Sequence, residues 1–283
     1  MKRIIIATFS FCLTIGLFVV AGNQFSHHNT ARAQADQAQS ENHAPPQRPR
    51  CSNRTASGTY GYRMNGTIIG LGPFLVNGYF VHNPDGTTRI HAYGTINGQI
   101  DLVEATGTFT TNDDCTGTGK FLTPALGFIT YYFVVTDGGN QLDILNTNPG
   151  IALQGVGRRI ALAGRRPNCD SRMIAGHYSY RLEGNIPGVP NLASVGYFTH
   201  TPYDRVNGKM SAFDTNSFNG QILPRSSQGT FKINSDCTGT GNYGDSLGNT
   251  INYVFMVVDG GNQIYLQGAD PGTNVHGLAT RSQ

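Results

Sequence analysis

The sequence predicts an all-β protein built from two tandem antiparallel eight-stranded β-barrels. Three observations carry that expectation: a composition poor in charge and rich in glycine, a long internal duplication, and strand-like runs separated by turn residues. Of 283 residues only 13% are charged, 37 are glycine and none is tryptophan. Soluble domains average ~25% charged residues and ~7% glycine. The shortage of Lys and Glu argues against helix bundles, whose solvent faces those side chains clothe. Gly, Thr, Asn and Tyr instead suit strands joined by tight turns.

The chain opens with Met1-Lys2-Arg3, a mostly apolar run over residues 4–21, and Ala31-Arg32-Ala33 before Gln34. A cationic start, an apolar core and a small-x-small site describe a secretory signal peptide over residues 1–33. The apolar run approaches the ~20 residues that a membrane span needs, but cleavage after Ala33 leaves no span in the mature chain. Cys12 follows Phe11 rather than the small residue of a lipoprotein signal, and there is no Arg-Arg pair, so general export to the periplasm or the exterior is expected. Cleavage removes Lys2, Arg3 and Arg32 and no acid, which turns a net charge of +3 into 17 basic against 17 acidic residues. That balance argues against a nucleic-acid partner, which requires clustered Lys and Arg. The remaining basic group, Arg158, Arg159, Arg165 and Arg166, falls where the two copies join and reads as solvated. Residues 34–50, rich in Gln and Pro without apolar periodicity, read as a disordered spacer.

Beyond the spacer the chain repeats itself. Cys51, Gly58, Tyr60, Tyr62 and Arg63 recur 118 positions later as Cys169, Gly176, Tyr178, Tyr180 and Arg181. Gly78-Tyr79-Phe80-Val81-His82 recurs as Gly196-Tyr197-Phe198-Thr199-His200. A four-residue insertion near Tyr203 and Gly208 shifts the offset to 122, after which Asp114 to Gly119 matches Asp236 to Gly241 and Asp137 to Gln141 matches Asp259 to Gln263. The period is too long for a solenoid repeat, so each copy is a domain: residues 51–160 and 169–283, joined by a linker at 161–168.

In the first copy, strand-like runs lie near 57–65, 74–83, 87–95, 99–111, 115–122, 128–136, 140–146 and 152–159. Pro84-Asp85-Gly86, Asp113-Asp114, Asp137-Gly138-Gly139 and Asn148-Pro149-Gly150 separate several of them, and Asp-Gly and Gly-Gly turns are strong hairpin signals. Tyr60, Tyr62 and Met64 alternate with Thr59, Gly61 and Arg63, as strands with two unlike faces do. Eight consecutive antiparallel strands can hide both sheet edges by closing into an up-and-down barrel; a two-sheet sandwich is the alternative.

With Cys12 in the signal, four cysteines remain, and their register places Cys51 with Cys115 and Cys169 with Cys237. An exported chain meets an oxidising compartment, so one disulfide per copy is expected among the three possible connectivities. Neither copy has C-x-x-C or a His at ligand spacing, so no metal is expected. Hydrolase, phosphate-loop and dinucleotide motifs are absent from the sequence, so no cofactor and no catalytic residue is assigned. Polar residues shared by both copies are the candidates for ligand contact: Tyr60, Tyr62 and His82, with Tyr178, Tyr180 and His200. Packing with a hydroxyl partner is the competing role for the tyrosines, and a satisfied buried site for the histidines. Asp137 and Asp259 read as turn residues bonding their own backbone. Glu104 aligns with Ser226 and Glu183 with Asn65, so no paired carboxylates for acid–base work recur.

Gly58-Thr59-Tyr60-Gly61-Tyr62, Asn112-Asp113-Asp114-Cys115-Thr116-Gly117-Thr118 and Phe133 to Gly139 resemble the motifs of a poorly characterised family of exported bacterial β-domains. Its members carry G-T-Y-x-Y, N-x-D-C-T-G-T, F-V-x-x-D-G-G and a final D-P-G. The second copy repeats the pattern from Gly176, Asn234 and Phe255. The departures are Asn148 in place of the Asp of D-P-G, and His177 in place of Thr. These are turn and disulfide residues, so the resemblance implies fold rather than activity. The cleavage region A-R-A-Q-A has a cyanobacterial look. The strand count is also similar to the small barrels of allene oxide cyclases and dirigent proteins, a likeness that implies apolar ligands and steered cyclisation or coupling. The expected function is therefore non-enzymatic binding of a small apolar or glycan-like ligand, or of an envelope component. The alternatives are a cofactor-free cyclase or isomerase and a structural surface or matrix protein.

Overall fold

The computed structural model describes residues 50–124 and 126–282. The expected signal peptide and the spacer up to residue 49 lie outside them. The first barrel comprises β1 (Gly58–Ile68), β2 (Gly72–His82), β3 (Thr87–Ile96), β4 (Gln99–Thr111), β5 (Thr116–Thr123), β6 (Gly127–Thr136), β7 (Gln141–Asn146) and β8 (Ile151–Ala161). The second comprises β9 (Gly176–Ile186), β10 (Val189–Pro202), β11 (Asn207–Phe218), β12 (Gln221–Ile233), β13 (Thr238–Asp245), β14 (Thr250–Val258), β15 (Gln263–Gly268) and β16 (Asn274–Arg281). Each strand pairs antiparallel with its sequence neighbours, and β1 with β8 and β9 with β16 close the two rings. Closure removes both sheet edges, so the sandwich alternative is excluded.

Local chemistry explains the hairpins. Asn97-Gly98 and Asn219-Gly220 hold positive φ at both residues, +48° and +76° in the first and +50° and +87° in the second. That is the backbone a two-residue hairpin matching the strand twist requires. Asp114 accepts the Thr116 amide at 2.9 Å and Asp236 accepts the Thr238 amide at 3.0 Å, which accounts for Asp in D-C-T-G-T. At the D-G-G turns the expected side-chain bond is absent; Asp137 and Asp259 adopt positive φ and their carbonyls accept the amides of Asn140 and Asn262. The glycines of T-G-T-G have another role. A Cβ on Gly117 would stand 2.2 Å from the Phe133 ring, and one on Gly119 would stand 2.3 Å from Tyr131. Gly239 and Gly241 stand in the same relation to Phe255 and Tyr253. The glycines let β6 and β14 lay their inward rings flat across the neighbouring strand.

One end of each barrel is plugged. Disulfides join Cys51 to Cys115 and Cys169 to Cys237, tying the segment before β1 or β9 to the turn before β5 or β13. Tyr60 donates to the Gly139 carbonyl at 2.7 Å, and Arg159 donates to the Tyr60 hydroxyl at 2.8 Å and to the Thr55 carbonyl at 2.6 Å. The second barrel repeats this latch: Tyr178 donates to the Gly261 carbonyl, and Arg281 donates to the carbonyls of Ala175, Met173 and Gly261. Arg159 thus belongs to the plug of the first barrel, a correction to its reading as part of a solvated cluster.

The barrels meet through unlike faces. Outward-pointing Val254, Met256 and Val258 of β14 are buried, and Gly61 on β1 leaves the space that Met256 and Val258 fill. Asn77 donates to the Tyr265 carbonyl at 3.2 Å, Gln267 to the Thr95 hydroxyl at 2.6 Å, and the Gly272 amide to the Gly98 carbonyl at 2.8 Å. Arg63, whose face the sequence left unassigned, lies outside its barrel with its guanidinium 5.1 Å from the Tyr265 ring centre.

Each disulfide closes a long loop, with sequence separations of 64 and 68. Cross-links of this span stabilise by about 4 kcal/mol in the chain-entropy model. Replacing Cys51 and Cys115 together with Ser should lower the unfolding free energy of the first barrel by about that amount, measured as a fall in urea midpoint. A midpoint unchanged by the double substitution would contradict this assignment of stability.

Candidate ligand-binding sites

Strand alternation decides which side chains face the lumen. On β1 it is the Tyr60, Tyr62, Met64 face, and on β9 the Tyr178, Tyr180, Leu182 face. The six residues shared between the copies therefore all point inward, but to different depths. Tyr60 and Tyr178 are fully buried in the plugs and line neither of the two lumen cavities. His82 and His200 form the cavity floors: His82 stacks on Phe109 with ring centres 3.8 Å apart and shares a 3.1 Å hydrogen bond with the Tyr131 hydroxyl, while the His200 ring centre lies 4.2 Å from that of Phe231. Tyr62 and Tyr180 line the cavities above them.

The two cavities differ in size and chemistry. That of the first barrel is about 130 Å³ and is walled by Tyr62, Phe74, Val76, Phe80, Ile90, Val103, Phe121, Ile144 and Leu153, with Thr123, Asn146 and Asp101 toward the end away from the disulfide. Burial pushes the Tyr62 and Tyr131 hydroxyls well above the usual tyrosine range. Burial also lowers the His82 imidazole to about 3, so it is neutral at ordinary pH. None of these groups exchanges a proton near neutrality, the range where general acid–base catalysis works best.

The second cavity is about 280 Å³ and holds a polar cluster that the first lacks. Arg225 on β12 grips Asp214 on β11 with two bonds, Nε to Oδ1 at 3.1 Å and Nη2 to Oδ2 at 2.7 Å. Tyr180 and Ser194 also donate to Oδ2 of Asp214, and the Asn216 amide donates to Oδ1 at 2.7 Å. The third guanidinium nitrogen reaches Asp245 at 3.4 Å, and the guanidinium carbon lies 5.5 Å from the Tyr243 ring centre. Burial would raise the Asp214 carboxyl, but the bonds from Arg225, Tyr180 and Asn216 outweigh it and hold Asp214 below its ordinary value, ionised. Against its own burial, Arg225 is held further in its charged form by Asp214.

These residues are not common to both copies, so shared polar positions do not include them. At the offset of 122, Asp214, Asn216, Arg225, Tyr243 and Asp245 replace Ala92, Gly94, Val103, Phe121 and Thr123. The signal that finds them is the opposite one, a set of joint apolar-to-polar differences on lumen-facing positions.

The chain matches no family model and no curated protein. Among solved structures, it is similar to a de novo designed fluorescence-activating β-barrel at TM-score 0.33 and 13% identity, covering 40% of this chain and 96% of that one. The redesigned barrel mFAP1 bound to DFHBI matches at TM-score 0.33 and 20% identity, covering 39% and 97%. A protein of unknown function from the DUF3598 family of Nostoc punctiforme matches at TM-score 0.28 and 11% identity, covering 81% and 97%. Likenesses this weak carry no inference about ligand or activity. Among the described residues no helix is long and apolar enough to cross a membrane.

The neutral histidines make stability pH-dependent. His82 and His200 fall from 6.5 to about 3 on folding, through burial. Between those values the unfolded chain binds protons that the folded chain does not, so stability is complete above pH 6.5 and declines as pH drops toward 3. The slope reaches about 1.4 kcal/mol per pH unit for each histidine, and His276 shifts in the same direction. Urea midpoints should fall between about pH 7.5 and about pH 5; equal midpoints would mean that water reaches both imidazoles.

Proposed function

We propose that the chain is an exported, non-enzymatic module that holds small molecules in the lumens of its two barrels. The observation that carries this reading is the first cavity: walled mainly by carbon, not filled by its own side chains, and lined by tyrosines and a histidine that keep their protonation states near neutrality. An apolar cavity of ~150 Å³ stays dry and admits benzene, so about 130 Å³ suits a single ring or a short alkyl chain. A glycan is disfavoured there because Asp101, Thr123 and Asn146 sit together at one end and the mainly apolar walls leave most of its hydroxyls without partners. The disulfide framework and the expected signal peptide support a life outside the cytoplasm. A cyclase or isomerase of the allene oxide cyclase or dirigent type is the second reading. It is favoured by Tyr180 and Arg225 lining one apolar-walled cavity, but both are committed to Asp214.

Benzene or xenon added to the full mature chain should shift the methyl NMR signals of Ile90, Ile129 and Ile144, which line the first cavity. Val103→Trp, which places an indole in that space, should weaken this response at least ~10-fold while leaving the methyls of the second cavity unchanged. Signals that stay fixed at saturating benzene and xenon would refute lumen binding in the first barrel.

A further inference from the structure

Buried ion pairs seldom out-stabilise apolar packing of the same volume, and the first barrel closes with Ala92, Gly94 and Val103 where the second carries Asp214, Asn216 and Arg225. The cluster is therefore not a requirement of the fold, and its arrangement indicates what the second cavity accepts. Arg225 faces the cavity, but its charge is matched by Asp214 behind it. Asp245 and Asp270 add two further carboxylates to the cavity wall, so the lining is net negative. Asn216 is 1% exposed, and its orientation is fixed because only its amide nitrogen can donate to Asp214. Its Oδ1 consequently faces away from that bond and has no hydrogen-bond donor among the described residues. The Tyr253 hydroxyl, buried on the same cavity wall, also lacks a partner there. Leaving such acceptors unmade is unfavourable, whereas a ligand O–H or N–H would satisfy them. Ile186, Leu192 and Ile251 supply apolar wall for the rest of a ligand.

We infer that the second barrel selects an uncharged or cationic amphiphile, with an apolar body and a hydroxyl or amine that donates to Asn216, and that it rejects carboxylates. The inference rests on the lumen-binding reading above and adds the ligand class. A carboxylate would bring a further negative charge beside Asp245 and Asp270, and it has no proton to donate to the unmet Oδ1 of Asn216. An alcohol or ammonium meets both conditions.

The test uses four naphthalene probes on the full mature chain at about pH 7.5: 1-methylnaphthalene, 1-naphthalenemethanol, 1-naphthylmethylamine and 1-naphthoate. The chain has no tryptophan, so no indole emission overlies that of naphthalene. Shifts of the Ile186 and Ile251 methyl signals assign each probe to the second cavity. The alcohol and the amine should bind at least ~3-fold tighter than the hydrocarbon, as one added hydrogen bond implies. Naphthoate should bind at least ~10-fold weaker than the alcohol. Asn216→Leu should erase the preference of alcohol over hydrocarbon while hydrocarbon affinity holds or rises. Removing one member of the ion pair would strand a buried charge. The companion variant therefore installs the first copy's residues at five cluster positions together: Asp214→Ala, Asn216→Gly, Arg225→Val, Tyr243→Phe and Asp245→Thr. It should bind the hydrocarbon best of the four. If the hydrocarbon and naphthoate bind the native chain as tightly as the alcohol, the ligand class is wrong and lumen binding stands. If no probe shifts the Ile186 or Ile251 methyls, lumen binding fails for this barrel and the class fails with it.

Discussion

Closure of each sheet on itself is the constraint from which the other features follow. Once β1 bonds β8 and β9 bonds β16, no strand edge is left to pair and the lumen acquires a set diameter. Every second residue must then fit into one limited volume. Large inward rings are admitted only where the neighbouring strand yields, which is why Gly117 and Gly119 lie under Phe133 and Tyr131, and Gly239 and Gly241 under Phe255 and Tyr253. Closure also leaves the two ends as the places where the barrel must be sealed. The Tyr60–Arg159 and Tyr178–Arg281 latches seal one end of each, with the disulfide holding the plug in place. The space that remains lies toward the opposite end, and the cavities occupy it.

Much of this architecture is legible in the sequence because duplication supplies an internal comparison. The strand runs read near 87–95 and 99–111 correspond to Thr87–Ile96 and Gln99–Thr111, and the cysteine register gives both disulfides. These features are local: turn residues, period-two alternation and matched spacing all act over short stretches. The lumen face was not legible, since alternation divides β1 into two faces without saying which of Tyr62 and Arg63 points inward. That depends on the sense in which the sheet curls and on what the outer face meets. Arg63 is outside because a second barrel covers its strand, and Gly61 beside it accommodates Met256 and Val258.

The same comparison concealed the polar cluster. Positions shared by two copies are enriched in what both barrels need to close, and Tyr60, Tyr178, His82 and His200 fall largely in that category. Differences between copies reflect what each barrel does separately. On the outer surface, copy two has Val254, Met256 and Val258 where copy one has Tyr132, Val134 and Thr136, which makes the joint one-sided. On the inner surface, Asp214, Asn216 and Arg225 stand where Ala92, Gly94 and Val103 line the other lumen.

A guanidinium gripped by one carboxylate and approached by a second is a demanding group to bury, since each ion loses several kcal/mol of hydration. It is tolerated here because Asp214 receives Arg225, Tyr180, Ser194 and Asn216 together, leaving neither oxygen short of donors. That completeness leaves a residue. An asparagine spent on donating to Asp214 must turn its carbonyl away from that bond, and Asn216 lines the cavity with its Oδ1 buried and without a donor. The fold thus stabilises a charge by creating an unmet acceptor beside a cavity of about 280 Å³. In the first barrel the same three positions carry Ala, Gly and Val, so neither the ion pair nor the asparagine acceptor arises there. Two copies of one barrel therefore arrive at different lumens by a single physical route: the polar one is the direct consequence of admitting Asp214 and Arg225 to the interior.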